Sequence, residues 1–250
     1  IFILPMKNLH EYKYDVHSQQ GEDGIINEIL KRSFKKEKIN TVEFGAGDIE
    51  QNSNTLNLIK NNQVNNAIFV EMDESLFKKL ENLKHKYKEI TAIHNLVKYK
   101  EGDSNTIDNI LKKNDIKNDI DIMSIDIDSY DLDVFKSIKI YHPKLLIIEG
   151  GRQKYGVLSE HAIDKKLNIF SSIFNTVSKK YYLISYNGNL FFLNKDFFSK
   201  EHVIKNYYLD DEYHYLLNSV YYSQSKRSFF SNFFINFLSK NKFILKLLIN

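Results

Sequence analysis

The residues whose types and spacing can do chemistry are carboxylates that follow short apolar runs. The stretch "DIDSYDLD" carries Asp126, Asp128, Asp131 and Asp133, and Glu149 ends the next apolar run. Several carboxylates pointed into one crevice repel one another unless a cation or ligand compensates. Placed there, a carboxylate can take a proton from a reacting group or offer a hard oxygen to a divalent ion such as Mg²⁺. Asp131 and Asp133 have a simpler reading as first-turn acids favoured by a helix dipole. Asp126 and Asp128 are therefore the candidate bases, and Asp126, Asp128 and Glu149 the candidate metal ligands. His161, in the polar loop after Glu149, is a third candidate base.

A second constellation lies upstream, in "TVEFGAGDIEQNSNT" at residues 41–55. Gly45 and Gly47 close a short β-branched run, and without side chains they let backbone approach a ligand. A dinucleotide fingerprint needs a third glycine, G-x-G-x-x-G, and position 50 is Glu50, so that fingerprint is incomplete. Glu43 stands two residues before the first glycine. Glu71 ends the second apolar run and Asp73 follows, both placed to accept hydrogen bonds from ribose hydroxyls. Asn95 follows the third run, where an adenine edge can be met, while the adjacent His94 reads as a packing residue. Ser18, Gln19, Glu22 and Asp23 read as a helix start with its capping acids.

The elements that must position these groups follow from hydrophobic period. Residues 24–34 put Ile25, Ile26, Ile29 and Leu30 on one helical face. Strands are predicted at "TVEF", "NAIFVEMD", "ITAIHNLV", "DIMSIDI" and "KLLIIEG", alternating with helices at "LNLIKNN", "SLFKKLENLKHKY" (capped by Ser75), "NTIDNILKKN" and "DLDVFKSI". The strands are continuous apolar runs, as parallel strands covered on both faces require. After a further helix at "KKLNIFSSIFNTVSKK", Asn187-Gly188 joins two strands as a hairpin. The class is therefore α/β: a doubly wound, Rossmann-like, mostly parallel seven-stranded sheet closed by a C-terminal antiparallel hairpin. Residues 1–200 are expected to form one domain, with a cofactor half at about 17–150 and a closing half at about 151–200. Residues 201–250 are expected to form a helical extension. In its last part, 226–250, Phe230, Phe233, Phe234, Phe237 and Leu238 make a basic amphipathic stripe suited to a membrane surface or a partner.

Composition sets the outer limits. The 250 residues are 42% hydrophobic and 27% charged, ordinary globular values. A net charge of +3, with arginine only at Arg32, Arg152 and Arg227, gives no reason to expect nucleic acid as a partner. Cysteine is absent, which excludes disulfides, Cys-ligated zinc and a cysteine nucleophile. No apolar run reaches the roughly 18 to 20 residues of a membrane span. A cytoplasmic protein, at the inner face of the membrane if the tail engages it, is the expectation. The chain opens on Ile1, which leaves room for a native start upstream.

Acid-x-Gly-x-Gly after the first strand, an acid after the second and a polar residue after the third resemble class I S-adenosylmethionine-dependent methyltransferases. The closing "YYLISYNGNLFFLNKD" is similar to their final hairpin. More narrowly, "SQQGEDGIINEI" (18–29), "SNT" (53–55), "DIMSIDIDSYDLDVFKSI" and "PKLLIIEGG" resemble the FkbM-type branch. The resemblance implies that Glu43, Gly45 and Gly47 line the methionine part of the cofactor and Glu71 its ribose. It also implies that Gln19, Asn54, Thr55, Asn95 and Asp126 join the cofactor site. Two departures stand out: the family's third glycine is not evident in the lengthened "DIEQNSNT", and Ser129 replaces the usual glycine of "IDIDG". The implied chemistry is methyl transfer, with a sugar or glycan hydroxyl as the expected acceptor, Asp126 or Asp128 as base, and Mg²⁺ as a candidate second cofactor. A lipid, peptide or natural-product acceptor is the alternative within this chemistry. Outside it, Asp126-Ile127-Asp128 also spells the DxD of metal-dependent glycosyltransferases.

Overall fold

The computed structural model describes residues 8–128, 130–150 and 169–207. The apolar runs form one seven-stranded sheet: β1 (Ile39–Phe44), β2 (Val64–Glu71), β3 (Ile90–His94), β4 (Ile122–Ile125), β5 (Leu145–Glu149), β6 (Tyr181–Tyr186) and β7 (Asn189–Asn194). Their order is β3-β2-β1-β4-β5-β7-β6. β1 to β5 pair in parallel, and β7 runs antiparallel between β5 and β6. The α/β sheet and the closing hairpin expected from the sequence are both present.

Helices α1 (Glu22–Ser33), α2 (Ile49–Asn52), α3 (Leu56–Lys60), α4 (Glu74–Lys86), α5 (Ile107–Lys113), α6 (Asp131–Ser137), α7 (Ile169–Val177) and α8 (Lys200–Asn206) cover the two faces. Adjacent residues of a strand point to opposite faces, so a doubly covered strand is apolar throughout. In β5, Leu145 and Ile147 enter one core layer while Leu146 and Ile148 enter the other. β7 repeats this with Phe191 and Leu193 opposite Leu190 and Phe192. The stripe Ile25, Ile26, Ile29 and Leu30 of α1 is buried, as its spacing predicts. One cap differs from the sequence reading. α4 begins at Asp73, whose Oδ1 accepts from Ser75 N at 2.8 Å and Leu76 N at 2.9 Å, so the carboxylate takes the capping role expected of Ser75.

α8 docks on the end of α1: Arg32 Nη1 donates to Asn206 O at 3.0 Å, and Ser33 Oγ meets His202 Nε2 at 2.8 Å. The amphipathic stripe of 226–250, Ser129 and His161 lie outside the described residues. Among the described residues, no helix is long and apolar enough to cross a membrane.

The strand order makes the crevice. From β1 the chain winds outward through β2 and β3, then returns to place β4 on the other side of β1 and β5 beyond it. The loops after β1 and β4 therefore leave in opposite directions, which is where open α/β sheets hold ligands.

Candidate active site

Gly45 and Gly47 form the floor of that crevice. Both have positive φ, +77° and +53°, a region that favours glycine. A Cβ on Gly45 would lie 1.8 Å from the carbonyl oxygen of Asp126, so the loops after β1 and β4 meet in direct backbone contact. Gly47 N donates to Glu71 Oε2 at 2.7 Å, and Asp73 N donates to Glu71 Oε1 at 2.7 Å. Glu71 thus ties the glycine turn to the turn after β2, and each of its oxygens keeps a second lone pair.

Glu43 is placed differently from a ligand-facing acid. Its carboxylate is buried and accepts from Ser53 Oγ at 2.9 Å, Asn54 N at 2.9 Å and Thr55 Oγ1 at 2.6 Å. Burial pushes the carboxyl above its ordinary range, and the bonds from Thr55, Asn54 and Ser53 pull it back. Asn54 Nδ2 goes on to donate to Ser124 Oγ of β4 at 2.9 Å, so Asn54 and Thr55 belong to a buried network joining β1 to β4. Asn95 donates its main-chain N–H to Glu71 O at 3.0 Å and is half-buried. His94 stacks on Phe77 at 4.8 Å and bonds Met72 O through Nε2 at 2.9 Å, in keeping with a packing role. Met72 and Leu96, just beyond β2 and β3, are exposed apolar residues on the same rim.

Opposite stand the acids of β4 and β5. Asp126, Asp128 and Glu149 can each offer an oxygen lying within 4.8 Å of the others. Burial first, then the charges of Glu149, Asp131 and Asp128, push Asp126 up to about 8. Glu149 is raised by burial and by Asp128, while a hydrogen bond from Asp126 acts the other way. Two carboxyls joined by a hydrogen bond hold a proton between them. Asp128 is exposed and left-handed at φ +61°. Among the described residues no lysine or arginine is paired with these three acids. Asp131 is more than the dipole acid read from sequence. It is buried, accepts from Ile127 N at 2.8 Å, and burial raises it to about 7. Asp133 pairs with Lys136 at 3.3 Å on the helix surface.

The segment before α1 bonds to both α2 and the β6–β7 hairpin. Asp23 Oδ2 gathers the N–H groups of Val16, His17 and Ser18 at 2.7, 2.8 and 3.0 Å. Glu22 Oε2 accepts from Gln19 N at 3.2 Å and Gln20 N at 2.6 Å. The loop so formed touches the hairpin through Asn187 Nδ2, which donates to Gln20 O at 3.1 Å. It touches α2 through His17 Nδ1 to Glu50 O at 2.8 Å and Gln19 Nε2 to Asn52 Oδ1 at 2.6 Å. His17 and Asn52 belong to no motif in the sequence. The lengthened turn at 48–52 was the available signal, because extra residues beside a glycine turn must pack somewhere.

Residues 7–171 match the model of a family described as the methyltransferase FkbM domain, more than half of the chain. The fold is similar to an S-adenosylmethionine-dependent methyltransferase from Aquifex aeolicus at 12% identity and TM-score 0.39, covering 67% of this chain and 88% of that one. It is similar to the FkbM methyltransferase of Methylobacillus flagellatus at 16% identity and TM-score 0.44, covering 74% of this chain and 49% of that one. A third similar structure is TrmK of M. capricolum with S-adenosylhomocysteine, at 13% identity and TM-score 0.43, covering 88% and 96%. No curated protein matches the sequence.

Proposed function

The chain belongs to the FkbM methyltransferase family and is an S-adenosylmethionine-dependent methyltransferase, and we propose that it methylates a hydroxyl of a sugar or glycan precursor, with Asp126 as proton acceptor. One observation carries the reading. Asp126 sits at the switch point, its carbonyl against Gly45 and its carboxyl beside Asp128 and Glu149, acids that pair with no lysine or arginine among the described residues.

When bound, S-adenosylmethionine supplies an electrophilic methyl group on a sulfonium. Gly47, where a Cβ would meet no atom nearer than 3.7 Å, leaves the backbone of the turn open to it, and the remaining lone pairs of Glu71 suit ribose hydroxyls. A carboxyl raised to about 8 is a stronger base than an ordinary aspartate while still being partly ionised near neutral pH. With the cofactor bound, Asp126 would take the acceptor's hydroxyl proton as the methyl passed from sulfur to that oxygen. Asp128 and Glu149 add hydrogen-bond acceptors beside it, which suits a molecule bearing hydroxyls on neighbouring carbons. Family membership supports reading Asp126-Ile127-Asp128 as methyltransferase acids over the nucleotide-sugar role that the DxD spelling suggests.

A second reading of the same cluster is favoured by the 4.8 Å spacing of Asp126, Asp128 and Glu149, a set of hard oxygens fit for Mg²⁺. Such an ion would lower the pKa of an acceptor hydroxyl. The test is transfer of labelled methyl from S-adenosylmethionine to sugar, glycan, lipid and peptide fractions, read by mass spectrometry with and without chelator. A methyl ether on a sugar supports the proposal. Label confined to lipid, peptide or other natural products replaces the acceptor, and label on carbon removes the hydroxyl base. Turnover lost to chelator and restored by Mg²⁺ decides for the second reading.

A further inference from the structure

The turn after β1 exceeds the pattern it resembles, and the extra residues fold as α2. Ile49 anchors this turn in the core, and Asp48 Oδ2 pairs with Lys79 Nζ at 2.8 Å. His17 grips the Glu50 carbonyl and Gln19 grips the Asn52 side chain, at 2.8 and 2.6 Å. Asn52 is thereby fixed over the glycine turn: a Cβ on Gly47 would lie 3.7 Å from Asn52 Nδ2. Both amides remain exposed.

Each amide side chain carries one carbonyl oxygen and one NH2 group. The bond between Gln19 and Asn52 uses one oxygen and one N–H. Whichever way both amides are turned, the pair keeps one C=O and one NH2 outside that bond, with the Asn52 amide beside Gly47. A donor beside an acceptor matches an α-amino acid zwitterion, NH2 to the carboxylate and C=O to the ammonium. We infer that Asn52, clasped by Gln19, binds the amino-acid end of the cofactor and sets the protein's preference for ligands that carry that end. The inference rests on the cofactor assigned above, and adds a binding residue from the lengthened turn.

The experiment compares two ligands by calorimetry: S-adenosylhomocysteine, and 5′-methylthioadenosine, which keeps the nucleoside and thioether but lacks the amino acid. Asn52→Ala is expected to weaken S-adenosylhomocysteine about tenfold or more and to leave 5′-methylthioadenosine within about twofold, since hydrogen bonds to charged groups are the stronger ones. With Asn52 Nδ2 toward the glycine turn and Oδ1 toward Gln19, Asn52→Asp should weaken it further, by setting carboxylate against carboxylate. Gln19→Ala, which changes no residue of α2, carries the same expectation if Asn52→Ala proves unstable. Equal weakening of both ligands would reduce Asn52 to shaping the turn and overturn the inference, as would no change in either. Failure of the wild-type protein to bind either ligand is a different result, and would remove the cofactor reading itself.

Discussion

Acids end the strands on both sides of one crevice, yet the two sides are in opposite states. On β1 and β2, Glu43 and Glu71 meet a donor at every oxygen, from Ser53, Asn54, Thr55, Gly47 and Asp73. On β4 and β5, Asp126 and Glu149 meet mainly each other and Asp128. Burial does not separate the two sides, for Glu43 is among the most buried acids described. The supply of donors does. A third solution appears at the opposite end of the strands, just before β4, where buried Asp121 takes Lys144 Nζ at 2.6 Å and Lys36 Nζ at 3.2 Å. Buried carboxylates with local partners act as frame; those left to share protons are free to react.

The sharpest break of this comparison is Asp126→Asn. Removing a positioned base should lower methyl transfer by roughly 10²–10⁴-fold, with affinity for S-adenosylhomocysteine within about threefold of wild type. Rapid-quench turnover and calorimetry measure the two. Unchanged turnover would move the proton acceptor off Asp126.

Glu43→Ala tests the opposite side and should act on stability. It leaves three buried donors from Ser53, Asn54 and Thr55 facing no acceptor. With each unmet buried donor at about 1–3 kcal/mol, and the acid's own desolvation relieved, a net loss of roughly 3 kcal/mol in denaturant melts is expected. Loss of cofactor affinity without loss of stability would instead return Glu43 to the ligand-lining role that resemblance alone implies.

The sheet was legible because its strands are uninterrupted apolar runs and the intervening helices keep a separate period. Leu145 to Ile148 and Ile25 to Leu30 illustrate the two signals. The glycine turn and the acids after β4 and β5 were legible as positions. What each acid does was not. The partners of Glu43 lie at 53–55, and only the fold of the lengthened turn brings them back to its carboxylate. Asn52 and His17 had no periodic or motif signal, since a polar residue in a loop gains meaning from what the loop packs against.

Protonation gives a third test. Asp126 and Asp131 are raised from an ordinary 3.8 to about 8 and about 7. The folded state therefore holds protons that the unfolded state has released, so these groups favour folding below the ordinary carboxylate range. Their contribution is lost as pH rises through about 7 to 8. The melting temperature should fall between about pH 5 and pH 9, and fall less steeply in Asp126→Asn. An identical slope in the variant would mean that the crowding of β4 and β5 acids carries no energy.

The smallest effect is expected at Asp128, which combines φ +61° with an exposed carboxylate. Glycine adopts that backbone without the penalty of a Cβ, roughly 1 kcal/mol, but also gives the unfolded chain more freedom to lose. The two nearly cancel in Asp128→Gly, so thermal melts should move by no more than about 0.5 kcal/mol. The variant also removes one of the negative charges that raise Asp126 and Glu149. Asp126 then becomes the weaker base, and turnover should fall severalfold while stability stays near wild type. Slower transfer at equal stability sets Asp128 with the reactive acids across the crevice from Glu43. Equal transfer makes it a turn residue, and the contrast between the two sides then narrows to Asp126 and Glu149.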